Sequence, residues 1–351
     1  MHATPLSLTA RTLYAELREL ALAIGATEHM GETPGSVVSK TIKGAEYLYY
    51  QYRDIDGKTR QAYLGPKDNK TQNLLGTLEK RVIDQEADLE SLNKLRAAFV
   101  GAGGSVMEHA PLRILQAFAD AGALCPGHGF AMLVGTHAFN ALGNMLGVRW
   151  ASQMQTQDID LAGDIDLAIH RPATPAPDIL AQLGMGFIPV PTLDPRSPST
   201  SFRVRGQELR VDLLAPLHGK PKNDSIFVPA LNAMATPLRY LDYLLEAPVP
   251  AIIVGRRSQV LVNVPRPENF ALHKLLASES RPSVFATKAE KDRVQAMQIL
   301  EVLMQEAPDG LAQAKQNLLE RGKGWSGKLY SALQKQAKDY PDVVTWVEES
   351  H

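Results

Sequence analysis

Gly135 and Thr136 close an apolar run in LVGTHAF at 133–139, and two aspartates one residue apart follow in TQDIDLA at 156–162. Residues i and i+2 of a strand project from the same face, so Asp158 and Asp160 can converge on one or two divalent cations. A glycine at the end of a strand lets backbone come close to a phosphate. The helix N-terminus that follows it, with the Thr136 hydroxyl, supplies hydrogen-bond donors. Together these groups can hold a nucleoside triphosphate with Mg²⁺ or Mn²⁺. A third carboxylate, Asp212, sits inside the apolar stretch LRVDLLAP at 209–216. An unpaired charge is costly there, so this acid calls for a metal or a base. The motif DIDLA recurs at 164–168, which makes Asp164 and Asp166 an alternative pair. Gly163-Asp164 reads better as a strand exit or turn, so Asp158 and Asp160 are preferred. His137, beside the Gly-Thr turn, reads as a packed or hydrogen-bonded histidine before it reads as a metal ligand.

These residues need strands and helices to hold them. FAMLVG at 130–135 is a buried-strand candidate, and THAFNALGNML is a helix that Thr136 can cap. Strands follow at IDLA and DIDLAI near 159–169, then at GFIPVP, STSFRVRG and LRVDLLA, with a Pro-rich loop at 171–177 and a helix near 178–183. Past residue 230 the pattern gives a short helix, the strand pair PAIIVG and QVLVNV, and helices at 267–278, 288–306, 310–321 and 327–338. On the N-terminal side, Leu13, Leu17, Leu20 and Ile24 form one helical stripe that Gly25 can close. AEYLYYQYR and KTRQAYLG flank the turn signal DIDG as an antiparallel hairpin. Leu75, Leu78, Val82, Leu89 and Leu92 mark a long amphipathic helix from about 71 to 100, broken by GAGG at 101–104. The expected organisation is an α+β protein. It has an N-terminal helix, β-hairpin and long-helix appendage (1–104), a catalytic α/β unit (105–230) and a mainly helical region (231–351).

Gly-Thr at a strand–helix junction, a D-x-D farther on and a lone aspartate on a later strand resemble the DNA polymerase β-like nucleotidyltransferase superfamily. The spelling VGTHAFNAL, GVRW and TQDIDLA is similar to a bacterial nucleotidyltransferase-domain group with relatives among the nucleotidyltransferases of toxin–antitoxin systems. The resemblance covers about residues 108–280. It implies a mixed sheet with flanking helices, metal binding by Asp158 and Asp160, and completion of the site by Asp212, which helps deprotonate the acceptor. It further implies that Gly135 and Thr136 hold the triphosphate. Lys274, on the helix of VPRPENFALHKLLAS, and Arg149, in GVRW, become candidate nucleotide contacts. Transfer of a nucleoside monophosphate from an NTP to an acceptor, with pyrophosphate leaving, is the implied reaction. RNA, a tRNA end above all, a protein side chain and a small molecule are the acceptor classes, and an antitoxin is an implied partner. The chain departs from the pattern in having Gly-Thr where Gly-Gly or Gly-Ser is usual; threonine keeps the hydroxyl and adds a methyl.

Lys288, Lys291 and Asp292 read as ordinary exposed charges on the helix after Lys274. The hairpin offers a second reading. Tyr47, Tyr49, Tyr50, Tyr52 and Tyr63 lie among Lys40, Lys43, Arg53, Lys58 and Arg60, a composition that can stack bases and meet phosphates. In that reading the transferase fold is a non-catalytic scaffold that binds nucleic acid or a protein partner through the hairpin. Across all 351 residues, 37 basic side chains balance 38 acidic ones, so any polyanion site must be local. One cysteine, Cys125, excludes an intramolecular disulfide and a thiolate zinc site. With no signal-peptide pattern and no apolar run near the roughly 20 residues that span a bilayer, the expectation is a cytoplasmic protein without membrane contact.

Overall fold

A computed structural model describes the chain except residues 1–2, 33–34, 43–44, 54–58, 79–84, 125, 127–130, 152–155, 165–173, 193–196, 220–223 and 350–351. Its N-terminal part runs β1 (Ala3–Pro5), α1 (Leu8–Glu32), β2 (Gly35–Ile42), β3 (Ala45–Arg53), β4 (Thr59–Pro66), α2 (Asn69–Leu78) and α3 (Gln85–Gly101). Then come α4 (His109–Asp120), β5 (Ala131–Val134), α5 (Gly135–Met145), β6 (Val148–Trp150), β7 (Asp158–Gly163) and α6 (Ala176–Gln182). The strands β8 (Phe187–Pro189), β9 (Ser201–Val204), β10 (Arg210–Pro216), β11 (Ile226–Val228) and β12 (Ala233–Leu238) lead to α7 (Leu241–Leu244). A hairpin of β13 (Val249–Val254) and β14 (Gln259–Val264) precedes α8 (Pro267–Ser278), α9 (Ala286–Glu306), α10 (Pro308–Leu319), α11 (Lys323–Gln334) and α12 (Pro341–Glu349).

The central sheet is mixed, as an α+β reading requires. Its path is β11-β12-β10-β7-β5, with β9 beside the first half of β10 and β8 beyond it. β7 and β10 are parallel, whereas β5 and β7 are antiparallel. Every residue of β5 is buried, as suits a strand covered on both faces. β7 and β10 instead alternate, burying Ile159, Leu161, Val211 and Leu213 while their aspartates face a more open side. Phe118, Leu133, Phe139, Leu161, Leu213, Phe270 and Leu300 belong to one continuous core that joins the sheet to α4, α5, α8 and α9.

Several elements differ from the sequence expectation. Gly25 does not end α1, which continues to Glu32; one glycine costs a helix only about 1 kcal/mol, too little by itself to stop it. β2 joins β3 and β4, so the expected hairpin is a three-stranded antiparallel sheet, and its DIDG turn lies outside the described residues. The helix expected over 71–100 is two, α2 and α3. β11, β12 and α12 were not foreseen; the first two are short and lie among prolines. A second core forms where Tyr14, Leu17 and Ile24 of α1 meet Leu92 and Phe99 of α3 and Ile252 and Val254 of β13. Tyr14 Oη donates to Ile252 O at 3.2 Å, and β1 pairs with β6, so the N-terminal segment is packed onto the strands and helices behind the site.

Candidate active site

Register places the site. In the sheet Val134 is opposite Asp160, and Asp160 is opposite Asp212 on the other side, so the end of β5 and two carboxylates lie in one row. Asp158, two residues earlier on β7, shares their face and is exposed, opposite Arg210. Gly135 follows Val134 with φ +68°, and a Cβ there would lie 2.0 Å from Asp160 Oδ2. Only glycine lets the chain turn into α5 against that carboxylate. The helix begins at Gly135 with Val134 as its N-cap and no side-chain cap bond. Thr136 is therefore not the cap that the sequence suggested but a buried residue of the first turn.

Burial first, and then the neighbouring Asp212, push the Asp160 carboxyl up to about 7; Lys274 and Lys288 pull it the other way. Asp212 Oδ1 accepts from Arg210 Nε at 2.9 Å. Asp158 N–H donates to Thr156 Oγ1 at 3.1 Å. Among the described residues no three His, Cys, Asp or Glu side chains are drawn together closely enough to enclose a metal ion. The donor set still fits a hard cation: oxygen ligands only, and an acid whose charge is costly until a cation offsets it. Asp164 lies at the far end of β7 from Gly135, and Asp166 lies outside the described residues.

The basic side comes from two helices. Lys274 of α8 is buried, with Nζ 2.6 Å from Asp292 Oδ1 and 5.4 Å from the Phe270 ring centroid. Arg281 Nε meets the other oxygen of Asp292 at 2.5 Å. Asp292 is thus not the exposed charge that its helical position suggested. It is buried, and although burial alone would raise its carboxyl, Lys274 and Arg281 hold it below the usual range. Lys291 is half-buried rather than exposed, its amine pushed down by burial and by Lys274 and supported by Asp158 and Asp160. Lys288 is exposed as expected, and its charge reaches Asp160. Lys288 and Lys291 are the residues that sequence reasoning read only as exposed charges; an i, i+3 pair of lysines is ordinary on a solvated helix face and does not mark a site. Arg149 is exposed and its Nη2 donates to Gly103 O. His137 is buried and its imidazole is pushed down to about 4 by burial and then by Lys291, so it is neutral.

A family model described as a nucleotidyltransferase matches residues 109–320, well over half of the chain. The chain belongs to this nucleotidyltransferase family. The matched span starts with α4 and runs past α10, so it includes the carboxylate strands and also the lysines of α8 and α9. No curated protein and no solved structure matches the nucleotidyltransferase chain. No helix among its described residues is long and apolar enough to cross a membrane.

Proposed function

We propose that this nucleotidyltransferase moves a nucleoside monophosphate from an NTP to an acceptor hydroxyl or phosphate. The acceptor oxygen bonds to the α-phosphorus, the bond to the β-phosphate oxygen breaks, and pyrophosphate leaves. The carrying observation is the row of Gly135, Asp160 and Asp212, with a Cβ-free approach of the α5 N-terminus to a carboxylate. Asp158, Asp160 and Asp212 would hold Mg²⁺ or Mn²⁺, which when bound offsets phosphate charge and polarises the α-phosphoryl group. The backbone of Gly135 and Thr136 offers donors to phosphate oxygens. In this reading Lys274, Lys288 and Lys291 supply positive charge toward the carboxylates, and Asp212 would take the acceptor proton. RNA, a protein side chain and a small molecule are the acceptor classes; a toxin role with an antitoxin partner would be this same reaction used to arrest growth.

The test uses purified protein, labelled NTPs, Mg²⁺ or Mn²⁺ and cell extract. Wild type is expected to label an acceptor, and an Asp158→Ala/Asp160→Ala variant to leave it unlabelled. Equal labelling by the two, or none under any nucleotide and metal, defeats the proposal.

One observation favours a nucleic-acid contact in the N-terminal sheet. Leu48, Tyr50 and Ala62 bury one face, while Tyr47, Tyr49 and Tyr63 cluster on the other with Lys40 Nζ 5.0 Å from the Tyr49 ring centroid. Half-exposed tyrosines, tilted and edge-on to one another beside a cation, suit unpaired bases. Salt-dependent RNA binding that survives the aspartate substitutions and is lost on removing residues 36–66 is the expected result of that reading.

A further inference from the structure

Beside the carboxylates the open face of the sheet carries a second charged row. Asp158 on β7 is opposite Arg210 on β10, and Arg210 is in turn opposite Arg203 on β9. Residues directly opposite one another share a face, so both arginines stand on the side that carries Asp160 and Asp212, while Phe202, Val204 and Val211 fill the core behind them. Arg203 and Arg210 are both exposed. Arg210 Nε lies 2.9 Å from Asp212 Oδ1, whereas Arg203 forms no ion pair among the described residues. β9 brings no acid to this face, because Ser201 takes the place beside Asp212.

An exposed arginine is ordinary, but two placed directly opposite each other repel, and the strand pair gains nothing by keeping them. An anion between them removes the repulsion. The guanidinium fork matches phosphate oxygens, and a phosphate, with oxygens pointing in several directions, can meet two forks at once. Position decides which phosphate this is. The local strand order is β5, β7, β10, β9, so β9 lies beyond the carboxylates from Gly135, three strand spacings or about 14 Å from β5. In-line displacement keeps the attacking oxygen and the leaving pyrophosphate on opposite sides of the α-phosphorus. With the donor's phosphates at the junction of β5 and α5, the arginines are on the attacking side.

We infer that Arg203 and Arg210 bind a phosphate group of the acceptor, which is therefore a phosphorylated molecule whose attacking group lies near that phosphate. The inference deepens the proposed transfer and rests on it for telling acceptor from donor; the anion contact itself rests on the arginine pair. The phosphate is either a backbone phosphodiester of a nucleic-acid strand or the phosphomonoester of a small molecule.

Calorimetry on the full chain tests it, with a short single-stranded RNA and ribose 5-phosphate as probes, ribose as the uncharged control, and each titration run with and without saturating α,β-methylene NTPs and Mg²⁺. At least one phosphate probe is expected to bind in both conditions, and ribose in neither. Arg203→Gln should weaken that probe by about tenfold or more and leave the affinity for the NTP analogue unchanged. It should melt no lower than wild type, because it relieves the repulsion between Arg203 and Arg210. RNA binding alone assigns the phosphate to a strand, and binding of ribose 5-phosphate assigns it to a small molecule; either supports the site. Binding of neither probe, binding that the NTP analogue abolishes, or equal affinity in Arg203→Gln overturns it, as does a lower melting temperature of that variant, which would make Arg203 a structural residue. The Asp158→Ala/Asp160→Ala variant should still bind the probe without the analogue, so failure of the transfer reading and failure of this site are separately visible.

Discussion

At the scale of single residues, the site is a contest between burial and charge. Gly135 has a left-handed backbone and touches Asp160, so Gly135→Ala meets two costs. The backbone penalty is about 1–2 kcal/mol, and the 2.0 Å overlap must further displace the carboxylate. Calorimetry should therefore show lost Mg-NTP binding in a protein that is still folded but less stable; unchanged affinity would remove Gly135 from the site. Asp160 gives a pH signature. Its carboxyl titrates near 7 in the folded chain against an ordinary 3.8, so between these values the unfolded chain releases a proton that the folded chain keeps. Stability contributed by this group falls as pH rises from about 4 to 7 and stays reduced above it. With EDTA at pH 8, Asp160→Asn should melt higher than wild type, and the two should converge at pH 4; a wild type that melts no lower at pH 8 contradicts this. His273 acts in the opposite direction. Burial, then Lys274, push it down to about 3, so the unfolded chain gains a proton first as pH falls through about 6.5. Stability should fall by up to about 1.4 kcal/mol per pH unit below that point, and urea melts of His273→Gln should lose this slope.

At the scale of elements, α8 and α9 decide which cations face the sheet. Lys274, Asp292 and Arg281 tie the two helices together, with both Lys274 and Asp292 nearly excluded from water. Asp292→Asn leaves a buried ammonium without its partner and should cost about 3–5 kcal/mol in urea unfolding. Replacing both, as Lys274→Met with Asp292→Leu, should recover most of that stability. If Lys274 also holds phosphate, this stable double variant binds NTP more weakly; wild-type affinity would leave Lys274 a purely structural residue. These elements also show what the chain's patterning reveals. The Gly-Thr junction and the D-x-D are local, so the strand end, the helix start and the paired carboxylates were legible. An acid inside an apolar strand marked Asp212 as needing a metal or a base, but its partnership with Asp160 came only from the family resemblance; the register that puts the two side by side is a long-range feature. The burial of Asp292 was not, because a charge on a helix reads as solvated until another helix covers it. Lys288 and Lys291 reach the site only through the packing of α9 against α8, a long-range event with no local mark.

At the scale of the molecule, the same limit governs the N-terminal segment. The stripe of Leu13, Leu17, Leu20 and Ile24 announced an apolar face on α1 but not its partner, and the GAGG cluster read as a break that set residues 1–104 off as an appendage. In the fold, Leu17 is fully buried and belongs to a core shared with Ile252 and Val254 of β13. Arg18 Nε donates to Pro250 O at 3.0 Å, and Gly104 packs where a Cβ would collide with the Phe99 ring. The family match begins at residue 109, yet β13, within the matched span, depends on α1 for cover. Truncation is therefore unequal in effect. A chain of residues 105–351 exposes Ile252 and Val254 and loses the β1 partner of β6, so it should aggregate or melt well below the full chain. Removing residues 36–66 spares α1 and should leave the main transition in place. Leu17→Ala isolates the shared core without truncation and should cost about 2–5 kcal/mol, because it opens a cavity where α1 meets β13. Circular dichroism melts and size-exclusion chromatography of the three variants decide the matter: if 105–351 stays monomeric and melts with the full chain, α1 is an appendage and its core contributes nothing to the catalytic unit.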